Sequence, residues 1–327
     1  MANQKISIAL CTFNGAEFLH EQLASLATQT RLADELVVYD DCSTDGTVGI
    51  VREFQKQAPF PVRVVENSER LGSTRNFAAC IAACQGDAIA LCDQDDVWLP
   101  SKLCRLESEL QRSPQSAFVF SDAVLVDAEL RAVGDTLWEA VRFDAAARQL
   151  FRQGRGLEVL LRRYVVTGAT LVFRSEYRPL LLPIPQGWIH DAWIALLLST
   201  VSRGAFVEEP LIQYRQHPRQ QIGEKRRSLL EQARVARHMK REAFDSVAAM
   251  FEDAALRVAE RGVPPDSGPA MERVVDAFRQ KAAHFQQRAR MRDAGVWRLP
   301  IILRELGAGR YGRYSLGWKS AVQDLLL

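Results

Sequence analysis

Over the first hundred residues, short apolar runs alternate with stretches whose apolar positions recur every three to four residues. Residues 6–11 (Ile6-Ser7-Ile8-Ala9-Leu10-Cys11) read as a strand buried in a parallel sheet, and Asn14-Gly15 breaks the run before the helical pattern Phe18, Leu19, Leu23, Leu26. The cycle repeats. Residues 35–39 predict a second strand, followed by a helix on Val48, Ile50, Val51 and Phe54; residues 62–65 predict a third strand and residues 72–84 a helix carrying Phe77, Ile81 and Ala82. Residues 88–91 predict the fourth strand. Such alternation implies a mostly parallel sheet between helices, built with right-handed crossovers, that binds ligands outside the carboxyl ends of its strands.

The pattern loosens further on. Residues 116–120, 124–126, 165–173 and 211–214 read as strands, with Asp122 and Asp127 at turns or edges and Gly168 where a ligand or backbone can approach closely. Residues 187–193 open an apolar helix through Ile194, Leu197 and Leu198. Residues 224–292 read as long helices on Leu229, Leu230, Val235, Met239 and Phe244, broken near Val263-Pro264-Pro265.

Composition sharpens this picture. The 327 residues suggest one large α/β domain plus an appendage, and 47% hydrophobic with 25% charged residues marks a globular chain. The net charge of +2 hides an asymmetry: residues 221–327 hold 20 Lys and Arg against 13 Asp and Glu. The tail ends in a basic and aromatic stretch, Arg310-Tyr311-Gly312-Arg313-Tyr314, followed by Leu316, Trp318, Lys319 and Leu325 to Leu327. Such residues suit an anionic membrane surface, or packing against the catalytic domain or a second subunit. The six cysteines fit neither a zinc pattern nor a disulfide framework and read mostly as small buried hydrophobes. No signal peptide and no apolar run of roughly 20 residues is visible, so the expected location is cytoplasmic.

Candidate chemistry sits just after each strand. After the first come Thr12, Phe13, Asn14 and Glu17; after the second come Asp40, Asp41 and a Ser43-Thr44-Asp45-Gly46 turn that also reads as a helix cap. After the fourth come Asp93, Asp95 and Asp96, three carboxylates in four residues. They either cap the next helix or hold a hard divalent cation, which takes one or two carboxylates and completes its shell with water and phosphate oxygens. Arg75 could bring a guanidinium to a phosphate or a base. Asp191, ahead of the apolar helix, is either a cap or a general base, and His217 is either structural or a metal or phosphate contact. Neither the dinucleotide-binding Gly-x-Gly-x-x-Gly nor a P-loop motif occurs.

These residues in order resemble the family-two inverting glycosyltransferases of the GT-A fold. The match runs over residues 5–217, through Thr12-Phe13-Asn14-Gly15, Asp40 to Gly46, Gly72 to Asn76, Gly86-Asp87 and Asp93-Gln94-Asp95-Asp96-Val97-Trp98. The Cys92 to Pro100 stretch and Tyr214-Arg215-Gln216-His217 look most like bacterial rhamnosyltransferases of surface-polysaccharide assembly. The resemblance implies a catalytic domain over 1–220, with a nucleotide-sugar half to 110 and an acceptor half from 111, and a helical appendage over 221–327. It implies Thr12, Phe13, Asn14, Glu17, Asp41, Arg75 and Asp93 at the donor, and Asp95, Asp96 and His217 at a Mg²⁺ or Mn²⁺ ion. Asp191 would be the base; its neighbour His190 stands where an acidic residue is common. The expected partners are a nucleotide-sugar donor such as dTDP-rhamnose or a UDP-hexose and a saccharide acceptor, with contact to the inner face of the membrane or a homodimer in view and no nucleic acid. A noncatalytic nucleotide-sugar-binding subunit is the rival from another class.

Overall fold

The computed structural model describes residues 4–217, 240–261, 271–294 and 297–326. Its centre is a sheet of nine strands, β1 (Ile6–Thr12), β2 (Glu35–Asp40), β3 (Val62–Glu66), β4 (Ala88–Cys92), β5 (Val97–Trp98), β6 (Ser116–Val126), β7 (Ala132–Thr136), β8 (Leu171–Arg174) and β9 (Arg203–Arg215). The spatial order is β3-β2-β1-β4-β8-β6-β9-β5, with β7 on β6. The first four strands pair in parallel. They are joined by α1 (Ala16–Ala27), α2 (Thr47–Gln57) and α3 (Ser73–Ala83), as the alternating pattern requires. β1 and β4 are buried along their whole length, which explains why they lack the polar alternation of a half-exposed strand.

The second half departs from the pattern in three places. Residues 116–126 are one strand with register shifts around Asp122, not two strands. Asp122 is accordingly buried, accepting from the Ala123 and Trp138 backbone N–H groups at 2.8 and 2.9 Å, and is no edge residue. The expected strand over 165–173 shortens to β8, preceded by a 3₁₀ turn over Gly168–Thr170. Between the acidic motif and the next helix, residues 97–98 pair antiparallel with Gln213 and Ile212 of β9, and α4 (Lys102–Arg112) starts afterwards.

That short pairing matters for the site. It ties the carboxylate loop between β4 and β5 to the end of β9, so residues 93–96 lie beside residues 215–217 across more than a hundred positions of sequence. Four short helices follow β7: α5 (Leu137–Ala140), α6 (Ala145–Arg152), α7 (Gly156–Leu160) and α8 (Arg178–Leu181). Helix α9 (His190–Val201) is apolar all round and buried at every position except Asp191, as a central helix should be.

The tail contributes α10 (Arg241–Arg261) and α11 (Met271–Met291), packed on each other. α10 also braces the segment before α9: Trp188 Nε1 donates to Met250 O at 3.0 Å, and the Arg257 guanidinium donates to Leu180 O and Pro183 O at 2.9 and 2.6 Å. Three further helices, α12 (Arg298–Gly307), α13 (Arg310–Tyr314) and α14 (Trp318–Leu325), gather on α11 around a small core of Met291, Ile302, Tyr311 and Ala321. The expected helical positions Leu229, Leu230, Val235 and Met239, and the break at Val263 to Pro265, lie outside the described residues. Among the described residues no helix is long and apolar enough to cross a membrane. Cys11, Cys80, Cys84 and Cys92 are buried thiols; Cys104 is exposed.

Candidate active site

A cavity of about 550 Å³ opens at the carboxyl ends of β1, β2 and β4, within the range usual for a small-molecule site. Its lining includes Thr12, Phe13, Asn14, Glu17, Asp41, Asp93, Asp95, Asp191 and His217. Two expected site residues stand elsewhere. Arg75 is exposed and spends its Nε–H on Leu71 O at 2.9 Å, so the cavity lacks it. Asp96 is fully buried, with its Oδ1 accepting from the Arg215 backbone N–H at 3.0 Å, and does not reach the cavity.

The loops lining the mouth are fixed by hydrogen bonds that the sequence could not show. Asp41 holds the loop before α3: its two oxygens accept from the backbone N–H groups of Leu71 and Gly72 at 2.6 and 2.8 Å, and from Asn67. Gly72 sits at φ +80°, a conformation that side chains disfavour. Thr12 gives its hydroxyl proton to Asp40 at 2.8 Å. Gln94, inside the acidic motif, clamps Phe13 by accepting from its N–H at 2.8 Å and donating to its carbonyl at 3.0 Å. A Cβ on Gly15 would stand 2.2 Å from the Gln94 oxygen, so the clamp needs glycine there. The Ser43 to Gly46 turn braces both loops: Ser43 Oγ accepts from Asn14 N–H at 2.9 Å, and Asp45 accepts from the N–H groups of Ala16 and Thr47.

At the acidic end, His217 Nε2 lies 2.9 Å from Asp95 Oδ2. Arg215 locks the pair from below. Its Nε–H donates to Asp95 O at 2.7 Å, its guanidinium also bonds Ala128 O and Glu21, and its plane lies over Phe18 at 4.4 Å. Burial pushes Asp93 above the ordinary carboxylate range, with repulsion from Asp95 and then Asp191 adding to it. Burial drives Asp96 the same way. Behind them lies Lys102, fully buried, donating to Ala169 O at 2.6 Å with its ammonium 3.2 Å above the Trp98 ring; burial lowers it to about 7 against the pull of Cys92, Asp96 and Asp93. Carboxylates crowded with so little positive charge at the cavity favour a cation there.

Among the described residues, no three His, Cys, Asp or Glu side chains cluster closely enough to hold a metal by themselves. The Asp95 and His217 pair nevertheless fits an ion that leaves most of its shell to diphosphate oxygens and water.

Across the cavity, Asp191 Oδ2 accepts from Gly168 N–H at 2.8 Å and Oδ1 from Ala192 N–H at 2.7 Å. A Cβ on Gly168 would meet His190 Nε2 at 2.9 Å, so this glycine allows the close approach its place in the chain suggested. His190 is buried and stacks on Phe77 with ring centroids 3.9 Å apart, yet neither ring nitrogen has a hydrogen-bond partner. Its desolvation holds the imidazole neutral below its usual range. Arg70, whose guanidinium lies 3.8 Å over the Phe13 ring, also lines the cavity. Arg70 carries no pattern of its own as a charged loop residue; His190 was visible as the neighbour of Asp191, but not its stack on Phe77 or its two unpartnered nitrogens.

Residues 7–154 match the family model described as Glycosyl transferase family 2, a stretch just under half of the chain. That stretch is therefore similar to glycosyltransferases of family 2. An uncharacterized glycosyltransferase of Nostoc sp. is 35% identical over 109 residues, which is 33% of this chain and 34% of that protein. A dTDP-rhamnosyl transferase of Shigella flexneri is 23% identical over 223 residues, covering 65% of this chain and 73% of that protein. The first curated relatives are thus matched over only about one third to three fifths of their own length. A mannosyltransferase from Pyrobaculum calidifontis, solved with GDP-Man and Mn²⁺, superposes with a TM-score of 0.53 at 17% identity, over 100% of this chain and 87% of that one. The likeness to the family 2 model and the superposition together give the GT-A type of fold that the resemblance implied, here carrying a helical C-terminal region.

Proposed function

We propose that the chain is a metal-dependent inverting glycosyltransferase that moves a sugar, L-rhamnose from dTDP-rhamnose, to a saccharide or lipid-linked saccharide acceptor in bacterial surface-polysaccharide synthesis. The observation that carries this reading is one cavity lined by the Asp95 and His217 pair and by Asp191. The match to the family 2 model supports the transferase class, the Shigella relative supports the donor, and the Mn²⁺ complex of the Pyrobaculum neighbour supports a divalent ion.

Each residue then has a task. Asp95 and His217 would hold a Mg²⁺ or Mn²⁺ ion, which supplies electrophilic stabilisation of the leaving diphosphate. Phe13, capped by Arg70, offers a flat surface for the nucleobase, and Asp93 faces the ribose side of the donor. Asp191 takes the proton of the acceptor hydroxyl as that oxygen attacks the anomeric carbon on the face opposite the leaving group, which inverts the centre. Its two backbone contacts leave lone pairs for this task, since an ionised carboxylate offers about four acceptor sites. The neutral His190 beside it has one donor and one acceptor to spend on sugar hydroxyls. The 1–220 and 221–327 division and the cytoplasmic location belong to the same proposal.

The test is a panel of nucleotide sugars screened for thermal stabilisation of the protein with Mn²⁺, with Mg²⁺ and with chelator. Stabilisation by dTDP-rhamnose that needs the ion and exceeds that by UDP-hexoses supports the donor assigned. Stabilisation by a UDP-hexose alone moves the donor, and stabilisation by none refutes a nucleotide-sugar site.

A further inference from the structure

The surface of the last three helices is built in an unusual way. Residues 294–327 contain five cationic side chains, Arg298, Arg304, Arg310, Arg313 and Lys319, and two acids, Glu305 and Asp324. Both acids are fully buried. Glu305 pairs with His284 Nδ1 and with Arg310, each at 2.8 Å, and Asp324 takes a two-pronged bond from Arg288 at 2.7 and 3.0 Å and the Tyr311 hydroxyl at 2.7 Å. This network ties α12, α13 and α14 to α11 from the inside, so the region is shaped before anything docks on it.

Outward, the same helices show apolar residues at helical spacing. Leu299, Leu303 and Leu306 are exposed on α12, and Trp318, Val322 and Leu325 on α14, with Leu303 at 61% and Trp318 at 67% accessibility. Ile302 and Glu305 on one helix, and Ala321 and Asp324 on the other, are buried on the adjoining faces. Both acidic side chains of the stretch are withdrawn into the interior, and the described exterior is left apolar and cationic.

We propose that this face docks on an anionic lipid surface, with the leucines and Trp318 entering the interface and the arginines and lysine meeting the headgroups. Charge complementarity selects this occupant over a second copy of the chain. A two-fold interface through the same patch would set cation against cation with no exposed acidic side chain among the described residues of the stretch to offset them. Apolar side chains flanked by Lys and Arg are instead the composition of an interfacial element. The proposal stands apart from the transferase reading, since it uses none of the cavity residues; a lipid-linked acceptor would give it a purpose.

Flotation of the full-length protein with phosphatidylglycerol-containing vesicles, and with pure phosphatidylcholine vesicles, tests it. The expected result is binding to the anionic vesicles only, weakened by salt. Leu303→Ser with Trp318→Ser should abolish it, and Arg298→Gln, Arg313→Gln and Lys319→Gln together should weaken it by about fivefold per charge. The charge variant changes exposed or half-exposed surface residues alone, so it reports even if the apolar variant is unstable. Absence of binding to anionic vesicles at low salt overturns the proposal. So does binding that neither variant changes, or a dimer in sedimentation that the apolar variant dissolves while vesicles capture nothing.

Discussion

At the scale of single residues, the chemistry turns on which side chains face the cavity. The acidic motif announced itself by composition, but three carboxylates in four residues do not say which way each one points. The pairing of residues 97–98 with β9 decides that, turning Asp96 inward to Arg215 N–H and leaving Asp95 beside His217. Asp95→Asn should therefore remove ion-dependent donor binding in titration calorimetry while the fold persists. Asp96→Ala should act chiefly on stability, because it leaves the Arg215 N–H unsatisfied at a cost of roughly 1–3 kcal/mol in denaturant unfolding. Equal loss of ion binding in both would contradict the placement. His190→Phe keeps the stack on Phe77 and deletes both unpartnered nitrogens. Its expected signature is an unchanged nucleoside-diphosphate affinity with a sugar-dependent rise in KM of about tenfold, as for the loss of one hydrogen bond to a substrate hydroxyl.

At the scale of elements, the first four strands and three helices were legible because each follows one period: continuous apolar runs for strands buried on both faces, and i, i+3, i+4 spacing for the helices that cover them. The second half was less so. Asp122 and Gly168 interrupt apolar runs for tertiary reasons, one receiving Trp138 N–H at a register shift and the other making room for the start of α9, and no local period records either. The brace from α10 was equally hidden, since Trp188 reads as one more apolar residue until its indole N–H is seen to reach Met250 O. Trp188→Phe should cost about 0.5–1.5 kcal/mol of stability and lower turnover through a loosened start of α9. Donor affinity, assigned to Phe13, Asp93, Asp95 and His217, should stay as it was; a drop in donor affinity with unchanged turnover would count against the brace.

At the scale of the whole molecule, one cavity gathers Thr12, Phe13, Asp41 and Asp93 from the ends of β1, β2 and β4 and Asp191 from the start of α9, with α10 bracing the segment before that start. The basic excess of the tail was visible in composition, but not that its last two acids are consumed inside it. The central claim is that Asp191 is the base of a sugar transfer supported by a cation at Asp95 and His217. The measurement closest to it is single-turnover transfer with the wild-type chain and with Asp191→Asn, in Mn²⁺ and after chelation. Asparagine keeps an oxygen for Gly168 N–H but cannot take a proton near neutral pH. The account predicts donor binding near that of the wild type, a transfer rate lower by a factor on the order of 10² to 10⁴, and no transfer by either protein without the ion. Transfer by Asp191→Asn at the wild-type rate, or transfer that survives chelation, would contradict it.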